Sequence, residues 1–163
     1  TADLPVICAV NGVAAGAGAN LAMACDIVLA SDKAKFIQSF ANVGLVPDAG
    51  GTWNLTRLLG PARAKALAMT GAPIQAAQAE EWGMIWKAVP ADELMAEARA
   101  LAEKLAHGPT FGLARTKRAI NAAATNSFDA QLDLEAQFQK DCGASDDYAE
   151  GVTAFLNLST IHI

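Results

Sequence analysis

The residue with the most chemistry to offer is a single acid in a glycine-rich apolar stretch, Asp48 of "GLVPDAGGTW" (residues 44–53). Flanked by Leu45, Val46, Ala49 and Trp53, a carboxylate there loses hydration, which raises its pKa toward what a general base requires. Local rules also allow a plainer role. An acid just ahead of Gly50-Gly51 and a helix is a common turn or cap residue. Both readings stand on composition and turn chemistry alone.

A second candidate is backbone rather than side chain. In "NGVAAGAGANLAMACD" (residues 11–26) a glycine-rich segment runs into a short, nearly all-apolar helix. The simplest reading is a tight strand-to-helix connection. The functional one uses the free N–H groups of a helix start, Ala17 among them, to hold a thioester carbonyl and the enolate that develops from it. A dinucleotide fingerprint fails: counted from Gly16, Leu21 stands where the third glycine belongs, and Asp26 comes too early to hold a ribose. Trp82 and Trp86 in "EEWGMIW" suit core packing better than substrate contact.

Other chemistries find little support. His107 and His162 lie far apart and neither has a ligand neighbour at metal spacing, so no metal site is expected. Cys8, Cys25 and Cys142 are odd in number and form no C-x-x-C pair, which points to buried free thiols in a reducing, cytoplasmic setting. The net charge of −5, with no basic run, argues against nucleic acid and against an electrostatic membrane anchor. The longest apolar run is broken by Asn11 and by glycines, too short to span a bilayer. No signal peptide is visible, and the start "TADLPV" reads as mid-domain.

The elements that must position these residues follow from pattern. At 163 residues, 53% hydrophobic and 18% charged, the chain can bury one sizeable core. "PVICAVNG" predicts a buried strand, "GVAAGAG" a tight turn, "ANLAMACD" a helix, and "DIVLAS" and "AKFIQS" two more strands: α/β grammar. "NLTRLLG" and "PARAKALAMTG" predict helices closed by Gly60 and Gly71, the second with Pro61 at its first position. "AAQAEEWG" predicts a further helix and "MIWKAVP" a strand. From there helices follow one another, the first capped by Asp92, later ones by Ser127 and Ser145. The boundary near Pro90 separates an α/β part (1–90) from a helical part (91–163).

Taken together, "AVNGVAAGAGANLAMACDIVLAS" and "GLVPDAGGTWNLTRLLGPARAKALAMTG" closely resemble the crotonase superfamily of acyl-CoA hydratases and isomerases, in order from Pro5 to about Phe155. "VPDAGGTW" followed by "EEWGMIW" looks most like the phenylacetate-pathway isomerase branch. Members of that branch isomerise epoxyphenylacetyl-CoA to its oxepin and shift double bonds in enoyl-CoA esters. The resemblance implies a spiral of ββα turns, of which this chain holds the C-terminal portion, followed by a helical trimerisation region. It also implies a missing N-terminal part carrying much of the CoA groove and one of two oxyanion donors. A separate N-terminal fragment is therefore an expected partner, beside an acyl-CoA substrate and further copies of the chain as a trimer or a dimer of trimers.

Site residues carry over from the same resemblance. The backbone N–H of Ala17 takes the place of the second oxyanion donor. Ala15, Gly16, Asn20, Phe40, Val43 and Trp53 would shape the substrate site. Hydratases of the superfamily hold and split water with two glutamates, but this sequence has Asn20 and Phe40 there, neither of them a base. Asp48 stands where isomerase branches present their one acid, so the implied role is proton transfer. No metal or redox cofactor is implied, CoA being part of the substrate. The tail "AFLNLSTIHI" departs from the ending that helps relatives bind CoA. A hydratase and a catalytically dead oligomerisation piece are the rival readings.

Overall fold

A computed structural model describes residues 2–157 of the chain, so most of the unusual tail lies outside the described residues. The α/β unit runs from Val6 to Ala100. Strand β1 (Ile7–Val10) leads through the Asn11-Gly12 turn into β2 (Val13–Ala15), then helix α1 (Ala17–Met23). Strands β3 (Ile27–Ser31) and β4 (Lys35–Ile37) repeat the step, followed by a 3₁₀ turn (Ser39–Val43) and helix α2 (Gly51–Thr70). Each ββα step adds one strand to each of two sheets. Thus β1 pairs in parallel with β3, and β2 in parallel with β4. Strand β5 (Ile74–Gln75) closes the second sheet antiparallel to β4; helix α3 (Ala76–Glu81) then leads to β6 (Lys87–Val89), parallel to β3. This is the spiral expected from the resemblance.

Several of the sequence reasons for these elements hold, although β1, expected to be buried, has only Val10 buried. Parallel strands covered on both faces need apolar residues throughout, and Val28, Leu29 and Ala30 of β3 are all buried. Phe36, Leu55 and Ile74 are among the largest apolar side chains removed from solvent and fasten β4, α2 and β5 to one core; Leu94, which opens helix α4 (Leu94–Ala106), is buried as well. Gly60 (φ 72°, ψ 165°) breaks α2 just ahead of Pro61, and Gly71 (φ 63°) ends it, its N–H donating to Leu67 O at 3.0 Å. Both are conformations that a side chain resists.

Four local expectations need correction. "GVAAGAG" is not all turn, because Val13–Ala15 forms β2 along β4. Asp92 does not cap α4, which begins two residues later at Leu94. The strand in "MIWKAVP" is only Lys87–Val89. Trp86 precedes it and is 71% exposed, although its N–H still donates to Val28 O of β3 at 3.0 Å. Trp82 does pack on the core, with the Arg63 guanidinium 4.6 Å from its ring centre.

The second unit comprises the described residues of 1–5 and 101–163. Helices α5 (Thr110–Ala123), α6 (Phe128–Gly143) and α7 (Asp146–Leu156) form it, α6 and α7 capped by Ser127 and Ser145 as expected. The Arg118 guanidinium grips the Asp3 carboxylate through two hydrogen bonds (3.0 and 2.6 Å) and holds its pKa below the ordinary carboxylate range. None of the three helices has a buried residue among those described, and Phe128 and Phe155 lie open.

Cys8 and Cys25 are free thiols in the α/β unit, both partly buried. Burial pushes the Cys8 thiol up, and the neighbouring Cys25 adds to the effect. The folded protein thus holds this proton to higher pH than the unfolded chain does. Cys8 contributes stability below the ordinary thiol range, and that contribution is lost as pH rises through its folded value. Alkylation of Cys8, followed by peptide mapping, should lag behind the urea-unfolded chain at about pH 8.5 and approach it at higher pH.

Candidate active site

The glycine turn and the Asp48 turn meet through α1. Gly16 opens the helix in a left-handed conformation (φ 54°, ψ −125°), and its N–H donates to Ile37 O at 2.8 Å. A Cβ there would come within 3.3 Å of Ser39 Oγ and 3.6 Å of the Phe40 ring. Glycine therefore satisfies both the backbone and the close approach of Phe40, which is itself buried. Ala17 follows as the first helical residue. It is exposed, and an N–H at that position has no acceptor within its own helix.

Asp48 is not desolvated as its apolar neighbours suggested. It is exposed, as are Val43 (71%), Leu45 (64%) and Val46 (72%), because the loop carries them past the 3₁₀ turn onto the surface of this unit. Nor is its side chain a cap: α2 is preceded by Gly50 and has no side-chain cap bond. The turn is built by the backbone of Asp48, whose carbonyl accepts from Gly51 N–H at 2.7 Å. Between them Ala49 (φ 47°) and Gly50 (φ 77°) are both left-handed, the pattern of a type I′ turn. A left-handed alanine costs about 1–2 kcal/mol and persists where its surroundings over-determine it.

Those surroundings centre on Asn20. Expected to contact substrate, it is instead 0% exposed. Its Nδ2 donates to Asp48 O at 2.9 Å, while its Oδ1 accepts from Gln38 Nε2 at 2.8 Å. The orientation is unambiguous, since a carbonyl only accepts and so must face the NH₂ side of the amide. Gly51 lies flat against it: a Cβ on Gly51 would fall 2.3 Å from Asn20 Nδ2.

Gln38 and Gly51 are the site residues that sequence reasoning missed. The signal for Gln38 was present in "AKFIQSF". Ala34, Phe36, Gln38 and Phe40 alternate along one direction and all four are buried, so period two alone sends the Gln38 amide inward. Its Oε1 is buried without a hydrogen-bond partner among the described residues.

The expected substrate pocket is assembled only in part. Gly16 and Phe40 are together, whereas Ala15 and Val43 are exposed, and half-exposed Trp53 has the Arg57 guanidinium stacked 3.0 Å from its ring centre. A groove of about 450 Å³ next to the Asp48 turn is lined by none of them; Leu45, Val46, Pro47, Leu55, Lys65 and Met69 form much of its wall. Among the described residues no group of three or more His, Cys, Asp or Glu is placed to hold a metal ion, and no helix is long and apolar enough to cross a membrane.

With this geometry in hand, known proteins offer a direct comparison. Residues 1–161 match the family described as enoyl-CoA hydratase/isomerase. The 1,2-epoxyphenylacetyl-CoA isomerase of Escherichia coli K12 is 57% identical over 152 residues, covering 93% of this chain and 58% of that protein. A Rhodobacter capsulatus protein named as a probable enoyl-CoA hydratase is 49% identical, covering 98% of this chain and 62% of its own length. The crystal structure of an enoyl-CoA hydratase subunit from Geobacillus kaustophilus superposes with a TM-score of 0.94 at 38% identity, over 98% of this chain and 62% of that one. The chain thus spans about three-fifths of the length of these relatives.

Proposed function

Given that this chain belongs to the enoyl-CoA hydratase/isomerase (crotonase) family, we propose that it is the catalytic and oligomerisation part of an acyl-CoA isomerase that moves a proton with one carboxylate, Asp48. The observation that carries this reading is the commitment of Asn20. Water activation in the family's hydratases uses two glutamates, and the corresponding residues here are a buried amide hydrogen-bonded at both ends and the Phe40 ring. Asp48 is the acid that remains, and its side chain is exposed to an incoming ligand.

In this mechanism Asp48 takes a proton from the carbon beside the thioester carbonyl. The electron pair moves into the carbonyl, and the resulting enolate oxygen accepts a hydrogen bond from the Ala17 N–H. Asp48 then returns the proton further along the conjugated system. In an enoyl thioester the double bond moves; in the oxepin form of epoxyphenylacetyl-CoA the proton reaches a ring carbon. No atom is gained or lost. Exposed as it is, Asp48 would receive its apolar cover from the acyl group it binds, which excludes water at the moment of transfer. The open apolar faces of α5–α7 support oligomerisation through the helical unit.

A short-chain 3-enoyl-CoA incubated with the intact enzyme in heavy-oxygen water tests the reaction class. The expected product is the 2-enoyl isomer with no label incorporated. Label appearing in a 3-hydroxyacyl product when the 2-enoyl thioester is supplied instead, with the 3-enoyl thioester left unchanged, would replace this reading with hydration.

A further inference from the structure

We propose that Asn20 is the positioning residue of the proton transfer: its buried amide sets the Asp48 turn, and Gln38 sets the amide. The proposal rests on the isomerase reading above and gives a role to a residue that reading leaves outside the chemistry. Three observations converge. Asn20 Nδ2 holds the carbonyl of Asp48 itself, at 2.9 Å, and no other atom of the loop. Gln38 Nε2, also buried, holds Asn20 Oδ1 at 2.8 Å, so the amide cannot rotate without giving up both bonds. Gly51 supplies the bare surface that lets the amide lie against the turn.

The arrangement has a consequence for Asp48. Its carboxylate is exposed and hangs from a turn in which Ala49 and Gly50 are both left-handed. The left-handed alanine strains this turn although its own backbone bond closes it, and a base on a shifting backbone spends less time within reach of the proton it must take. Asn20 lies in α1, three residues after Ala17, and is held there by its own N–H to Gly16 O and by its carbonyl, which accepts from Ala24 N–H. The amide therefore refers the base to a rigid element. Substrate need not touch Asn20 for this, and at 0% exposure nothing does.

The test is Asn20→Leu in the intact enzyme, which replaces the amide, both its donor to Asp48 and its acceptor for Gln38, by an apolar side chain of similar size. With a short-chain 3-enoyl-CoA, kcat should fall on the order of 10- to 100-fold while KM moves less than about threefold, because orientation rather than binding is lost. Exchange of the Gly51 amide hydrogen, which reports the turn directly, should quicken. In an Asp48→Asn background the same change should cost little further, since there is no base left to aim. Should Asn20→Leu not fold, Gln38→Leu carries the test, with the same pattern at smaller amplitude. Unchanged kcat in a folded variant, or an equal loss with and without the Asp48 carboxylate, would overturn the proposal. If Asp48→Asn alone proves harmless, the isomerase reading fails instead; Gly51 exchange then decides whether Asn20 holds the turn, unaltered exchange refuting it.

Discussion

Replacing Asp48 by Asn should lower double-bond migration by on the order of a hundredfold or more, the usual loss when a general acid/base is removed. The substitution is close to a pure test of the carboxylate. The turn is held by the Asp48 carbonyl, which accepts from Gly51 N–H and from Asn20 Nδ2, and no hydrogen bond to the Asp48 side chain is found among the described residues. Asn leaves all of that in place and keeps nearly the same shape. Stability should accordingly stay within about 0.5 kcal/mol, as for surface substitutions generally, while kcat collapses. Steady-state kinetics beside a thermal melt would separate the two. Activity near wild type would remove Asp48 from the mechanism, and with it the argument for a one-carboxylate isomerase.

Gly51→Ala should be the most damaging small change in the α/β unit. Gly51 does not have a positive φ, so the effect does not come from backbone conformation. It comes from space: the new Cβ would sit 2.3 Å from Nδ2, 2.5 Å from Cγ and 2.6 Å from Oδ1 of Asn20. A surface side chain would swing aside, but Asn20 is fully buried and bonded at both ends. Either α2 shifts at its first residue or the amide lets go of Asp48. Overpacking of this kind costs about 1–3 kcal/mol and occasionally more, a fall of several degrees in Tm. Gly18→Ala is the matched control, since nothing lies within 4 Å of a Cβ there. A melt in which the two variants behave alike would show that the turn yields easily. Residual activity in Gly51→Ala should also fall further than stability alone explains, because the displaced residue carries Asp48.

How far the sequence could be read depended on the range of each interaction. Glycines at Gly16, Gly60 and Gly71, proline at the start of the second segment of α2, and serines ahead of α6 and α7 act on their own few residues. Their roles were legible because the cause and the effect are neighbours in the chain. Strand β2 was not, since three small residues become a strand only when β4 is there to pair with. Trp86 failed as well: its neighbours are apolar and the pattern says core, yet its ring lies exposed while its N–H still donates to Val28 O of β3.

The site divides along the same line. By itself the sequence determined that one acid, Asp48, sits in a glycine turn ahead of a helix, that a second glycine turn opens a short helix at Ala17, and that Asn20 and Phe40 bring no base. The first two are matters of residue type and local spacing; that Asn20 and Phe40 stand where hydratases carry their glutamates is what the family resemblance implies. Only the tertiary structure decided that Asp48 is exposed, that its turn is closed by backbone, and that Asn20 faces the Asp48 carbonyl across 28 residues of chain rather than a substrate. The physical reason is that an amide's role is set by what lies opposite its donor and its acceptor, and here both partners, Asp48 and Gln38, arrive from the next turn of the spiral.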